Sequence, residues 1–102
     1  MVNRRSKQIA VAAQFRRRLG CGEYQMTGGG CSCIYIPLKD GAYLQVTDGQ
    51  AEVPVADEFD VISVRLCESD GYDVEGWGWH GDSIEDAIQY CAYMLDLMHG
   101  RI

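Results

Sequence analysis

Of the five cysteines and two histidines, Cys21, Cys31, Cys33 and His80 make the plausible set for holding a metal or carrying out thiol chemistry. Together they would offer three thiolates and one imidazole, a donor set that suits zinc. Structural zinc ligands usually come in pairs two to four residues apart. Here nine residues separate the first two thiols, one separates the next two, and the histidine is remote. A Cys–His nucleophilic pair drawn from the same set lacks any motif that would orient the imidazole. The simpler account is small thiols in or near a core. Cys67 and Cys91 fall on a strand and a helix, and burial is expected for both. No catalytic residue and no cofactor are expected, and the chain is expected not to be an enzyme. A small zinc or thiol protein is kept only as a third functional class.

The second set able to do chemistry is basic. Arg4, Arg5, Lys7, Arg16, Arg17 and Arg18 lie in the first twenty residues, which hold no acid. Residues 21–102 carry three basic residues and all fifteen acidic ones, a net of −12 within an overall −6. Nucleic-acid binding by such a helix would be an electrostatic contact with phosphates. The triplet Arg16–Arg18 spreads over more than half of a helix circumference, so it does not face one groove. Attraction of these cations to the acidic body of the same chain is the expectation, with a nucleic-acid-associated accessory protein as the alternative function.

The third set is aromatic. Tyr35, Tyr43, Trp77 and Trp79, with Arg65, Asp73 and Glu75 on nearby strand positions, would make a protein-contact patch on an uncovered sheet face. Trp, Tyr and Arg dominate interface energetics. Burial by the N-terminal helix, or by a second copy in a homodimer, is the competing account. The acids between Asp57 and Asp86 give that half of the chain a surface suited to a basic groove on a partner.

These residues are positioned by elements that the pattern marks out. Ile62, Val64 and Leu66 alternate with Ser63, Arg65 and Cys67, the period of a half-buried strand. Asp70-Gly71 supplies a reversal, and Tyr72–Trp79 returns. An unbroken pairing would set Val64 opposite Gly78 and Leu66 opposite Gly76. That places the tryptophans on the face away from the aliphatic row, with the last helix crossing the glycines. A two-residue turn would instead slip the register by one and move the tryptophans inside; the first register is the one expected. Ser83 followed by Asp86 resembles a capping box. Ile84, Ala87, Ile88, Cys91, Leu95 and Met98 then form one helical stripe, which Gly100 ends. Residues 3–19 read as an amphipathic helix capped by Asn3. A hairpin over Ser32–Leu38 and Ala42–Thr47 turns at Asp40-Gly41 and pairs Leu38 with Leu44. Glu23–Thr27 reads as a short edge strand. Gln50–Val55 alternates too, although Pro54 confines it to a short or edge strand.

The expected fold is a single α+β domain over 1–102. It is an antiparallel four- to five-stranded meander flanked by an N-terminal and a C-terminal helix, in the order α-β-β-(β)-β-β-α. The length suits one modest core. No stretch approaches the apolar length of a membrane span. The basic start lacks a long apolar region and a cleavage-like site, so the odd number of cysteines is read as reduced thiols in the cytoplasm.

In size, acidity, lack of catalytic motifs and compact α/β order, the chain resembles the small phage-encoded proteins that bind and block host factors, anti-CRISPR proteins among them. That resemblance is one of general build. It implies a non-enzymatic protein-binding module, an inhibitor or adaptor acting on a host protein or complex in the host cytoplasm.

Overall fold

Asn3 opens the first helix, α1 (Arg4–Leu19), by accepting the Ser6 amide on its side chain at 2.8 Å. Gly20 closes it at φ +80°, returning its amide to the Arg16 carbonyl. A residue with a Cβ is strained at that angle. The computed structural model describes residues 3–56 and 58–100, and at 75 and 76 the main chain only; Asp57 lies outside them. After α1 come β1 (Glu23–Gly28), β2 (Cys31–Pro37), a 3-10 turn at Lys39–Gly41, β3 (Tyr43–Asp48), β4 (Ile62–Cys67), β5 (Asp73–Gly81) and α2 (Ile84–Met98). The five strands form one antiparallel sheet in chain order. The α+β meander between two helices is therefore as expected.

One face of the sheet is aliphatic. Ile34, Ile36, Leu44, Val46, Ile62 and Val64 are fully buried there. Val11, Ala12 and Phe15 of α1 join the same cluster as Ala87, Ile88, Cys91, Met94 and Leu95 of α2. Both helices thus cover the same face, α1 over β1 and α2 over β4 and β5, and they touch each other. The sequence left open which face α1 covers. Sharing one apolar layer settles it, because the other face carries mostly polar side chains.

Three details differ from expectation. The first hairpin pairs Ile36 with Leu44, and the Leu38 amide donates to Ala42. Its register is thus two residues tighter than the pairing of Leu38 with Leu44, and a shift of two keeps every side chain on its expected face. Second, residues 50–55 form no strand. Side chains take three of their amides, and the Asp48 carbonyl takes that of Ala51. Asp48 Oδ1 accepts from Gln50 and Glu52, and Ser32 Oγ accepts from Val53. Gln8 Nε2, almost fully buried, donates to the Val53 carbonyl at 3.1 Å. Val53, Pro54 and Val55 are buried all the same, so the apolar alternation reports packing without a ladder.

The third difference moves a tryptophan. Next to the turn, Cys67 pairs with Asp73; further along, Arg65 pairs with Gly78 and Val64 with Trp79. Between those points β4 supplies Leu66 alone and β5 supplies residues 74–77. The three additional residues are an odd number, so the rest of β5 is turned over. Trp79 accordingly stands on the helix side and stacks on Tyr90 of α2, ring centroids 6.3 Å apart. Gly78 lies on the outer face, so the helix does not cross an exposed glycine row there. The glycine that matters is Gly81, because a Cβ there would fall within the Trp79 indole. Gly81→Ala is expected to push the ring off Tyr90, red-shift tryptophan emission and cost about 1–3 kcal/mol, the usual cost of overpacking. Unchanged emission and unchanged thermal stability would contradict this placement.

Candidate functional site: the uncovered sheet face

The face opposite the helices is built from the alternate residues of the same strands. β2 contributes Cys33 and Tyr35, β3 contributes Tyr43, Gln45 and Thr47, and β4 contributes Ser63, Arg65 and Cys67. Tyr35 and Tyr43 come together across the β2–β3 pair, ring centroids 4.8 Å apart. Gln45 lies between Tyr35 and Arg65 in one cross-strand row. Arg65 Nη1 is 3.9 Å from Asp73 Oδ2, in solvent on both sides, so the pair adds little stability. Beside them a polar depression of about 210 Å³ is lined by Thr27, Gln45, Thr47, Ser63 and Arg65, among others.

Of the residues expected to contact a partner, Tyr35, Tyr43, Arg65 and Asp73 are thus gathered on one face. Trp79 is not among them, for the reason of register given above. Trp77 lies in the irregular part of β5 and is 49% exposed. Glu75 lies outside the described side chains.

Two thiols lie on this face, Cys33 at 2% and Cys67 at 1% exposure. Burial pushes both up from the ordinary thiol range; Asp73, which accepts from Cys67 Sγ at 3.6 Å, adds to the shift of Cys67. Tyr43 is also raised, first by burial. A protonated thiol is a poor nucleophile and a poor metal ligand. Ser63 Oγ lies 3.1 Å from His80 Nδ1, a pairing the sequence did not reveal because strand registry creates it. Among the described residues no carboxylate is bonded to His80 to orient it, the third member that Ser–His catalysis needs.

The alternative metal set is not brought together. Cys33 faces outward beside Gln45, and His80 is held by Ser63. Cys21 sits on the helix side close enough to Cys91 to affect its titration, and Cys31 is at the start of β2. Among the described residues no group of three His, Cys, Asp or Glu side chains is placed to hold a metal ion. All five cysteines are free thiols.

The basic helix divides in two. Arg4 lies within 3.5–3.9 Å of Asp48, Glu52 and Glu58, and Lys7 is 3.8 Å from Glu58. Arg18 bonds Glu85 at 2.6 Å, which holds that exposed carboxyl below its usual range. Half of the cations therefore answer acids of the same chain. Arg5 and Arg16 have no carboxylate within ion-pair distance among the described residues; Arg5 lies over the Tyr24 ring at 5.8 Å.

The class defined by this geometry is a two-layer α+β domain, with two helices on one side of a five-stranded meander and, among the described residues, no element on the other. No protein-family model, curated protein or solved structure matches the chain.

Proposed function

We propose that this chain is a non-enzymatic protein-binding module, an inhibitor or adaptor that takes a host protein or complex against the open face of its sheet. One observation carries the proposal: among the described residues no helix or strand packs on the sheet face that presents Tyr35, Tyr43 and Arg65 side by side. Rigid strands hold these anchors in place, so little side-chain entropy is lost on contact. Net charge −6, with half of the N-terminal cations already engaged, favours a basic partner surface. The raised thiols and the unoriented Ser63–His80 contact support the absence of catalysis. A phage-encoded blocker of a host factor, acting in the host cytoplasm, is the form of this reading that the general build favours.

The test is capture from host extract with the wild type, a Tyr35→Ala/Arg65→Ala pair and an Arg17→Ala control. A specific, basic partner should be held by the wild type and the control. Its affinity should fall at least about thirtyfold in the pair, since one central anchor alone is worth about 2 kcal/mol or more and such values do not simply add. Equal capture by all three variants would overturn the proposal. So would submicromolar binding of duplex or single-stranded probes that weakens steeply with salt and disappears in an Arg16→Ala/Arg17→Ala variant.

A further inference from the structure

The free edge of β1 and the flank of α1 above it form a groove of about 380 Å³, lined by Ile9, Ala12, Ala13, Arg16, Gly22, Glu23 and Tyr24. Three features of this groove converge. β1 is the first strand of the sheet, with no neighbour on its outer side, so alternate amides and carbonyls of its regular part point outward. The edge, Glu-Tyr-Gln-Met-Thr-Gly, carries neither lysine nor proline; Glu23 at one end and the irregular pairing between Met26 and Gly28 at the other leave the stretch between them open.

The wall above this edge is a helical stripe. Arg5, Ile9, Ala12 and Arg16 recur at helical spacing along α1, with Ala13 beside them. Ile9 is 47% exposed, an apolar side chain with no covering element, and the alanines leave room beneath it. The stripe also carries two of the three helix cations that make no ion pair among the described residues: Arg16 lines the groove and Arg5 lies over the Tyr24 ring, whereas Arg4, Lys7 and Arg18 meet acids. A strongly acidic protein thus presents along this slot two arginines outside ion-pair distance of any described carboxylate, with Glu23 the acid that shares its lining. From Arg5 to Arg16 the helix rises about 16 Å, the length of about five extended residues.

We propose that this groove binds an extended segment of a partner protein, which adds a strand to β1, sets an apolar side chain against Ile9 and Ala13, and places a carboxylate side chain on Arg16. Residues two apart on a strand share a face and are about 6.6 Å apart. Ala13 and Arg16 are separated along the helix by about 4.5 Å, within the reach of the arginine. β1 begins beside Arg16, so a segment paired antiparallel to it runs towards that end, and the recognised pattern is an apolar residue, any residue, then an acid. Main-chain pairing supplies the affinity and the slot and arginine supply the choice, the usual division in strand addition. This site is separate from the open face and goes beyond it.

The probe is a displayed library of random linear peptides, selected on the intact protein. Peptides with an apolar residue two positions before Asp or Glu should be enriched. The best of them should lose about tenfold or more in affinity for Arg16→Glu, and regain it when its acid is replaced by lysine. N-methylation of alternate peptide amides should abolish binding in one phase and spare it in the other, a readout independent of protein folding. Backbone NMR shifts should concentrate at Glu23–Met26, and Tyr35→Ala/Arg65→Ala should bind normally. No enrichment, insensitivity to Arg16→Glu, no effect of N-methylation in either phase, or shifts confined to the open face would each overturn the inference. Loss of binding in the Tyr35→Ala/Arg65→Ala pair alone would overturn it too, assigning the peptide to the open face.

Discussion

Phe15→Ala is expected to lower the unfolding free energy by about 3–5 kcal/mol, the range for removing a buried aromatic ring. Phe15 is fully enclosed and belongs to the cluster that joins α1 to the sheet and to α2. Its loss removes apolar contact and leaves a cavity that three elements would have to close together. A domain of this size holds a total of only about 5–15 kcal/mol, so the variant should unfold at a much lower urea concentration. Arg17→Ala, on the exposed side of the same helix, should stay within about 0.5 kcal/mol. Comparable losses in the two variants would mean that α1 is not anchored through Phe15.

The second large effect is alkaline. Cys91 lies on the inner face of α2, and burial, with Cys21 adding to it, pushes its thiol from 9.0 up to about 12. The folded chain therefore holds this proton more tightly than the unfolded chain. Below about pH 9 both forms are protonated and the contribution to stability is fully present. Above it the unfolded chain loses the proton first, and stability falls as pH rises towards about 12, by up to about 1.4 kcal/mol per pH unit. Cys21, Cys33, Cys67, Tyr43 and Tyr90 are raised as well, each mainly by burial, and add to the same limb. Urea midpoints measured from roughly pH 8 to 11 should fall steeply, and the slope should be shallower in Cys91→Ala. Identical slopes in both proteins would remove Cys91 as the cause.

Local signals in the sequence carried most of the architecture. Asn3 and Ser83 mark where helices begin, and both accept the expected amides. Alternation in Ile62–Leu66 identified the core face of β4, and period-two patterning survives a register error of two in the first hairpin. What the sequence concealed is non-local. The apolar alternation of 50–55 is equally compatible with a strand and with an extended loop; the decision rests on Ser32, Asp48 and Gln8, of which Gln8 is more than forty residues away. The face of Trp79 depends on how many residues β5 inserts opposite Leu66, and nothing in its composition counts them. For the candidate site, Tyr35, Tyr43, Arg65 and Asp73 were legible because strand parity places them together. The Ser63–His80 contact and the division of the basic helix were not, since each joins residues distant in sequence.

Laying the strands down in chain order has a consequence for how the molecule assembles. Each pairing joins neighbours in sequence, so three of the four close over short turns and fall in the microsecond regime of isolated hairpins. The fourth, β3 with β4, spans a connection of thirteen residues, 49–61, and carries the larger loop-closure cost. The kinetic seam therefore runs between β3 and β4, dividing a first half from α1 to β3 from a second half from β4 to α2. Each half has a helix but lacks part of the common apolar layer, so neither gains much until they meet. Folding should thus be limited by the docking of the two halves, each stabilised only as they meet, at the rates of mixed α/β domains with predominantly local contacts.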